Sequence, residues 1–344
     1  MLRTIMKAMK RCGIVSIKLF MWITVYSLPC IESAKQLVNK LCQHLSEGGF
    51  EIRQWASNFT SVILHLPDEA RSENSLLWLS QHGEEPLEPT LGLRWNCAMD
   101  SLGYRCCPIE CIEPTKRNIY KVLASQYDPL GFLTPFTARA KVLVQDLWKT
   151  ESGWDDHITP DTLVQRWLTW VEELDSIKHV ILPRCYIPPC ANTPGAKRDL
   201  HVFCDTSKRL YGSVAYLRTE DEKGGIHVSF VMARSRVAPK RQISMPRLEL
   251  CAALTCAQLA HLLTTELTLP IGQVLLWSDS TTILTWLKSE SCRYKVFVGT
   301  RVAEIQNLTN LDNWNYIATK DNPADDITRG KTLKELSELN RWRN

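Results

Sequence analysis

Four acidic residues in the C-terminal half of the chain lie in contexts that suit metal-dependent chemistry. Asp205 and Asp279 each end a strand-like apolar run. Glu249 lies near the start of a strongly helical stretch, and Asp325 follows a Pro-Ala pair. Hard divalent cations prefer all-oxygen ligands, and two such ions can bind the attacking and leaving oxygens of a phosphodiester. The pattern therefore indicates a divalent-metal site for phosphodiester chemistry.

The same residues also have purely structural interpretations. Asp205 and Asp279 could simply end their strands, and Glu249 could lie on a solvated helix face. Carboxylates held together raise one another's pKa and destabilise a protein when no cation is bound. A shared function therefore explains the set better than four separate structural roles.

The position of the fourth acid is open between two neighbours. Asp325 and Asp326 could each be the functional residue or an N-cap of the following helix. The residues by themselves leave this choice open. Ser280 and Asn322, close to two of the acids in sequence, are predicted to hydrogen-bond the carboxylates that bind the metal.

A basic run lies between the third predicted strand and the long helix. No acidic residue occurs between Ser229 and Leu248. Cations in such a run can neutralise the phosphates of a nucleic acid, although a solvated loop would have the same composition. The predicted nucleic-acid-binding residues are Arg234, Arg236, Lys240, Arg241 and Arg247.

Composition sets broad limits. At 344 residues the chain is long enough for two domains, and its net charge of +4 decides nothing about nucleic acid by itself. Thirteen cysteines without a regular framework favour reduced thiols and a cytoplasmic location. The tightest cysteine group lacks paired CxxC spacing, so a structural zinc is disfavoured. That group is Cys97, Cys106, Cys107 and Cys111.

The N-terminal segment 1–30 has an atypical composition. Residues 14–30 are largely apolar and follow several basic residues, as in a signal or anchor segment. Lys18 interrupts this run, which is shorter than the roughly 18 residues that a spanning helix needs. A strand and turn is the alternative, and no stable membrane association is expected.

The C-terminal region 200–344 predicts an α/β (α+β) domain with a mixed sheet flanked by helices. Three strands precede a long helix, and further strands and helices follow it. The predicted strands are 200–205, 211–218, 226–234, 274–279 and 314–318, and the main helices are 246–267 and 281–288. A proline-rich stretch at 183–199 is predicted to be a linker.

The preceding region, 31–182, predicts a mostly helical fold. Helices are predicted at 31–48, 118–124, 137–148 and from Thr159 onward, with short strands at 50–55, 61–66 and 91–95. The last helix carries two tryptophans on its apolar stripe. Core packing of Trp167 and Trp170 is favoured over a base-stacking surface.

Several segments, in a fixed order, resemble the polyproteins of BEL/Pao-type LTR retrotransposons. They are QYDPLGFLTP at 126–135, FCDTS at 203–207, PRLEL at 246–250, WSDS at 277–280 and NPADDITRG at 322–330. Earlier segments, GFEIRQWASN at 49–58 and LGLRW at 91–95, resemble the end of the reverse transcriptase region in the same family. The resemblance covers roughly residues 31–344.

The resemblance implies a ribonuclease H-like fold preceded by a reverse transcriptase thumb or connection remnant. It implies that Asp205, Glu249, Asp279 and Asp325 bind two Mg²⁺ ions, with Mn²⁺ as a substitute, and that they are catalytic. The expected substrate is the RNA strand of an RNA–DNA hybrid. Other domains of the polyprotein are expected partners, and a virus-like particle or the nucleus are alternative locations.

The chain also departs from the family pattern. The stretch where a polymerase would carry its paired aspartates, 21–30, contains no acidic residue, so no polymerase activity is expected. Many cellular ribonucleases H have a histidine near the last aspartate, and 295–330 has none. Lys320 or Arg329 is a candidate replacement.

Two other functions are open. The first is a non-catalytic nucleic-acid-binding or structural remnant. The second, which is less favoured, follows from the cataloguing of this family as a Pao retrotransposon peptidase. Asp205-Thr206-Ser207 resembles the Asp-Thr-Gly loop of aspartic peptidases, but that chemistry needs two carboxylates sharing a proton.

Overall fold

The computed structural model describes residues 14–19, 22–28, 30–72, 87–90, 93–105, 113–159 and 161–343. These residues form two compact units. The described residues up to Arg105, with Lys178–Asn192 and Glu266–Leu269, make the first unit. The second contains the remaining described residues, which fall into three segments between 113 and 343.

The first unit contains two antiparallel sheets and two helices. Three strands form one sheet in the order β2-β1-β3, and four form the other in the order β4-β5-β6-β7. The elements are β1 (Ile14–Leu19), β2 (Trp22–Ser27), α1 (Ile31–Glu47), β3 (Arg53–Ser57), α2 (Thr60–Ile63), β4 (Leu87–Thr90), β5 (Leu93–Asn96), β6 (Ser101–Gly103) and β7 (Ile181–Pro183).

Apolar side chains from these elements build the core of the first unit. Val38 of α1, Trp55 of β3 and Ile63 of α2 are all fully buried in one cluster. A buried ion pair joins Arg184 to Asp100, with Nε 2.5 Å from Oδ1. Asp100 Oδ1 also accepts a hydrogen bond from the indole N–H of Trp95.

The sequence predictions for this region are partly correct. The helix predicted at 31–48 is α1, which ends at Gly48. The strand predicted at 61–66 is wrong, because Thr60–Ile63 forms a short helix that buries Val62 and Ile63. In the N-terminal segment, β1 and β2 are paired antiparallel strands, which agrees with the strand part of the strand-and-turn alternative.

The second unit is built on one five-stranded mixed sheet in the order β10-β9-β8-β11-β12. The first three strands are antiparallel, whereas β11 lies parallel to both β8 and β12. The elements are α3 (Lys116–Ser125), α4 (Thr134–Leu147), α5 (Asp161–Glu173), β8 (Lys197–Thr206), β9 (Leu210–Glu220), β10 (Ile226–Val237), α6 (Met245–Glu266), β11 (Gln273–Ser278), α7 (Thr281–Leu287), α8 (Val296–Leu308), β12 (Trp314–Tyr316), α9 (Asp325–Arg329) and α10 (Leu333–Ser337).

Helices pack against this sheet because the strands have apolar side chains on both faces. Helix α6 is apolar on nearly all sides, which is typical of a helix at the centre of a core. Of the helices in the described part of the chain, it alone has the length and composition to cross a membrane. However, 56% of its most apolar window is buried within the protein, as in the core helix of a soluble domain.

The tight turn before α4 is hydrogen-bonded to β10. Both carboxylate oxygens of Asp128 accept backbone N–H groups, from Gly131 at 3.0 Å and from Leu133 at 2.8 Å. The carbonyl of Leu130 accepts the N–H of Ala233 in β10 at 2.8 Å. Gly131 has φ +79°, a conformation that glycine adopts without steric cost.

Core packing is confirmed for the two tryptophans of α5. Trp167 and Trp170 are 1% and 2% exposed, and Trp170 stacks on Phe136 with ring centroids 4.7 Å apart. These rings are not a base-stacking surface. Pro160, next to the predicted N-cap of this helix, lies outside the described residues, as do Cys106, Cys107 and Cys111 of the disfavoured zinc site.

The two compact units do not correspond to the regions on either side of the predicted linker. Residues 113–177 pack with the five-stranded sheet, whereas 183–192 belong to the first unit. The predicted linker also contains the end of β7 and the start of β8. The division into a reverse transcriptase remnant before 183 and a ribonuclease H-like domain after 199 stays a prediction.

Candidate functional site

The parallel pairing of β8 and β11 brings two of the four predicted acids to one edge of the sheet. Cys204 pairs with Ser278 at the ends of these strands, and the next residue in each strand is Asp205 or Asp279. Because the strands run in the same direction, both carboxylates leave the sheet at its same end. We refer to Asp205, Glu249, Asp279 and Asp325 as the acidic cluster.

Asp205 is the more buried of the two aspartates at these strand ends. It is 7% exposed, and its carboxylate accepts a hydrogen bond from the hydroxyl of Thr328 in α9. Burial raises the pKa of Asp205 to about 6, and the negative charges of Asp279 and Asp325 add to the rise. Both of those carboxylates therefore lie close enough to Asp205 for their charges to disfavour its ionised form.

Glu249 and Asp279 are each oriented by a neighbouring hydroxyl. Ser280 donates to Glu249 Oε2 at 2.7 Å, and the same hydroxyl accepts the N–H of Ile283 as the N-cap of α7. Thr319 donates to Asp279 Oδ2 at 2.8 Å. The predicted contact between Ser280 and a cluster carboxylate is therefore present.

Replacing Ser280 by alanine removes both of its hydrogen bonds. We expect this change to lower the free energy of unfolding by about 1–2 kcal/mol, because it removes the N-cap of α7 and one bond to a carboxylate. Chemical denaturation compares it with Ser289→Ala, whose hydroxyl makes only an exposed bond to the carbonyl of Thr285. Equal losses in the two variants would contradict a structural role for Ser280 in the cluster.

Asp325 and Asp326 face different partners. Asp325 accepts Nε of Arg329 at 2.6 Å and Nη2 of Arg341 at 3.2 Å. Asp326 is paired with Arg341 at 2.6 Å and with Lys331 at 3.7 Å. Asp325, unlike Asp326, is among the charges that raise the pKa of Asp205. This favours Asp325 as the fourth acid, and its assignment to the site stays a prediction.

The predicted hydrogen bond from Asn322 to a cluster carboxylate is wrong. Its amide donates to the carbonyl of Cys204 at 3.0 Å and accepts the N–H of Ala324 at 3.1 Å. These bonds go to the backbone and not to a cluster carboxylate, so the predicted direct bond is replaced. Asn322 is fully buried and fixes the segment before α9 against the end of β8.

The chemistry of the donor set fits divalent cations. The contacts of Asp205, Glu249 and Asp279 include hydroxyl groups and no ion pair within the described part of the chain. In the arrangement described, no three Asp, Glu, His or Cys side chains already surround one ion position. A bound cation would offset the like charges around Asp205, and it would compete with two arginines for Asp325.

The predicted basic residues lie on β10, on the following loop and on the first turn of α6. Arg234 is half-buried, and the other four are exposed. Arg247 lies 5.3 Å from the ring centroid of Phe297, and Arg301 lies 3.7 Å from the same ring. Arg301 was not predicted, because only the packing of α8 beside the start of α6 adds it to this surface.

Other residues of the site also escaped the sequence analysis. Thr319 and Thr328 have no distinctive context in the sequence, although both lie within a few residues of Asp325. Arg341 follows Asp325 by 16 positions and reaches it only because the chain after α10 turns back. Of the two candidates for a histidine replacement, Arg329 contacts the cluster.

One protein-family model matches part of the chain. The model of the Pao retrotransposon-like RNaseH-like domain matches residues 115–280, a stretch that includes three of the four clustered acids but not Asp325. No curated protein gives a match.

Two similar solved structures are complexes of foamy viral protease-reverse transcriptase with double-stranded DNA, one of them a form designated dRH. Each is 12% identical to this chain and covers 88% of it, with TM-scores of 0.46 and 0.47. The chain spans about half the length of these proteins, 45% of one and 54% of the other. Over residues 115–280, the chain is therefore similar to the Pao retrotransposon-like RNaseH-like domain.

Proposed function

We propose that this chain is a divalent-metal-dependent ribonuclease that cleaves the RNA strand of RNA–DNA hybrids. The observation that carries this proposal is the placement of Asp205 and Asp279 at the ends of adjacent parallel strands. Glu249 accepts a hydrogen bond from Ser280, the residue after Asp279. The charge of Asp325 helps to raise the pKa of Asp205. These contacts support a shared role for the four carboxylates in metal binding.

In this proposal Asp205, Glu249, Asp279 and Asp325 hold Mg²⁺, which Mn²⁺ can replace. Bound there, the metal supplies a nucleophilic water at neutral pH and neutralises charge on the scissile phosphate. The hydroxyls of Thr328 and Thr319 fix the orientation of Asp205 and Asp279.

Cationic residues of the site would bind the substrate. Arg247 and Arg301 both lie against the ring of Phe297, and Arg236 and Arg301 both lie near Cys251 in the second turn of α6. These three arginines therefore lie together near the start of α6. They can neutralise phosphates of the hybrid, and 2′-hydroxyl contacts would distinguish its RNA strand. Trp22–Ser27 carries no acidic residue, so we propose no polymerase activity.

The cleavage test uses the full chain and a hybrid whose RNA strand carries a fluorescent label. We expect cutting of the RNA strand in Mg²⁺ or Mn²⁺ and none in EDTA. Asp279→Asn should lower the rate by roughly 10³-fold, because several kcal/mol of transition-state stabilisation depend on the metal. The matched control is Asp312→Asn, the same change at an exposed position before β12.

One observation favours the second candidate function, a non-catalytic nucleic-acid-binding remnant. Both carboxylate oxygens of Asp325 are bonded to arginines, as in a fold that keeps the acids without using them. If the folded wild-type chain binds the hybrid but cuts neither strand in either metal, it is a non-catalytic nucleic-acid-binding remnant. We do not propose the aspartic peptidase, because Thr206 hydrogen-bonds the β8–β9 turn and the acids around Asp205 suit a metal better than a shared proton.

A further inference from the structure

A cavity of about 600 Å³ lies beside the acidic cluster, within the second unit. Its walls are α4, α5, the turn between β8 and β9, and the end of α9. The same cavity wall includes Thr328, which donates to Asp205, and Arg329, which is paired with Asp325. The cavity and the acidic cluster therefore share the short segment 328–330.

The cavity walls carry several cationic side chains. Helix α4 contributes Arg139, α5 contributes Arg166 and α9 contributes Arg329; the β8–β9 turn contributes Lys208 and Arg209. Arg139 is neutralised by Glu173 at 2.7 Å. Lys208 is exposed, and within the described part of the chain no ion pair or hydrogen bond involves its amine.

Asp146, which does not itself line the cavity, pairs with two of the lining arginines. Its carboxylate contacts Arg209 at 2.6 Å and Arg166 at 3.1 Å, and it also contacts Lys149 at 3.1 Å. The two arginines outnumber the single negative charge of Asp146, and Lys208 adds a further positive charge to the cavity wall. Burial acts to raise the pKa of Asp146, but the hydrogen bonds from these three cations hold it below its ordinary value.

The geometry of this group is fixed before any ligand binds. Arg209 donates through Nε to Gln145 Oε1 at 2.7 Å and through Nη2 to the carbonyl of Val142 at 3.2 Å. Its guanidinium is therefore anchored on α4 while its backbone belongs to the β8–β9 turn. Preorganised cations bind an anion with little loss of side-chain entropy.

We propose that this cavity binds the sugar–phosphate backbone of the polynucleotide strand that passes the acidic cluster. Excess positive charge selects for phosphate, and the shared segment 328–330 allows one strand to reach both places. The cluster would hold the phosphodiester that reacts, and Arg166, Lys208 and Arg209 would bind phosphates further along the same strand. The proposal rests on the proposed function only in taking a polynucleotide as the ligand.

The test measures binding and not cleavage. The full chain in EDTA is titrated against a short fluorescent RNA–DNA hybrid at several salt concentrations, with wild type beside the double variant Arg166→Gln/Lys208→Gln. We expect roughly tenfold weaker binding, and a dependence on log salt that is shallower by about 0.7–0.9 for each phosphate that the variant no longer binds. Arg209 is left in place because it also anchors the turn to α4.

The matched control removes two charges at the other end of the same strands. Lys197 begins β8 and Lys223 lies in the turn between β9 and β10, and both are exposed. Lys197→Gln/Lys223→Gln should keep the wild-type affinity and salt dependence. Equal behaviour of the cavity variant and this control would overturn the proposal.

Two further arms separate the remaining interpretations. If inorganic phosphate or a mononucleotide at millimolar concentration raises Tm in wild type but not in the cavity variant, while hybrid binding is equal in both, the cavity is a free-nucleotide site and the strand assignment is wrong. If wild type cleaves the hybrid, and the cavity variant binds it with the same salt dependence as wild type, this inference is overturned and the proposed nuclease is not. If binding by the cavity variant depends less on salt than binding by wild type, but wild type does not cleave the hybrid, this inference is supported and the proposed nuclease is contradicted.

Discussion

Replacing Asp205 with asparagine should abolish hydrolysis and at the same time stabilise the metal-free protein. Asp205 is nearly buried, and the burial together with the charges of Asp279 and Asp325 raises its pKa to about 6 from an ordinary value of 3.8. Above that pH the folded state must keep an unfavourable negative charge that asparagine does not carry. The gain should be roughly 1–3 kcal/mol, since one pKa unit corresponds to about 1.4 kcal/mol.

The pH dependence of this gain follows from the direction of the shift. Between pH 3.8 and about 6 the unfolded chain releases the proton of Asp205 before the folded protein does. Wild type therefore loses stability relative to Asp205→Asn as the pH rises through this interval, and the full difference is present above it. Below the unfolded pKa the difference vanishes.

Urea denaturation in EDTA between about pH 5 and about pH 8 measures this difference. Asp312→Asn, the same change at an exposed position, controls for the loss of a carboxylate. A stability difference that does not change with pH, or that favours wild type at about pH 8, would refute the account of Asp205. Hydrolysis of the hybrid by Asp205→Asn should fall by roughly 10³-fold in Mg²⁺.

The largest loss of stability is expected for Gly131→Ala. Gly131 has φ +79°, and a Cβ there would lie 2.0 Å from the backbone oxygen of Ala233 in β10. The turn cannot move aside easily, because Asp128 binds its N–H groups and Leu130 is hydrogen-bonded to Ala233. Strain and clash together should cost at least about 3 kcal/mol.

Gly224→Ala provides a control that separates strain from clash. Gly224 has φ +80°, but nothing lies within 4 Å of a Cβ at that position, so only the left-handed backbone conformation should cost about 1–2 kcal/mol. Thermal and urea unfolding of both variants give the comparison. Similar losses in the two variants would show that α4 and β10 do not approach as closely as Leu130 and Ala233 indicate.

Local patterns were sufficient for most of the second unit's elements. Alternating or continuous apolar runs predicted the five strands, and the long apolar stretch from Pro246 predicted α6. The pattern was misleading at 61–66, where alternating polarity also fits a short helix with Val62 and Ile63 on its buried side. Such a run is too short for its period to separate helix from strand.

The approach of Asp205 and Asp279 was predictable only in part. The sequence places both at the ends of strand-like runs, but the parallel pairing of the two strands is known from the structure. The role of Asn322 was not predictable, because whether an amide bonds a carboxylate or a carbonyl depends on distances of a few ångströms across the fold.

The sequence by itself determined which residues end strands, which helix forms the core and which acids are available for a metal. Only the tertiary structure decided that Thr328 binds Asp205, that Arg341 reaches Asp325 and that α4 and α5 form a cation-lined cavity beside them. Strand and helix periods act over a few residues, whereas Thr328 and Asp205 alone are 123 positions apart. These contacts depend on the packing of helices against the sheet, which no local pattern encodes.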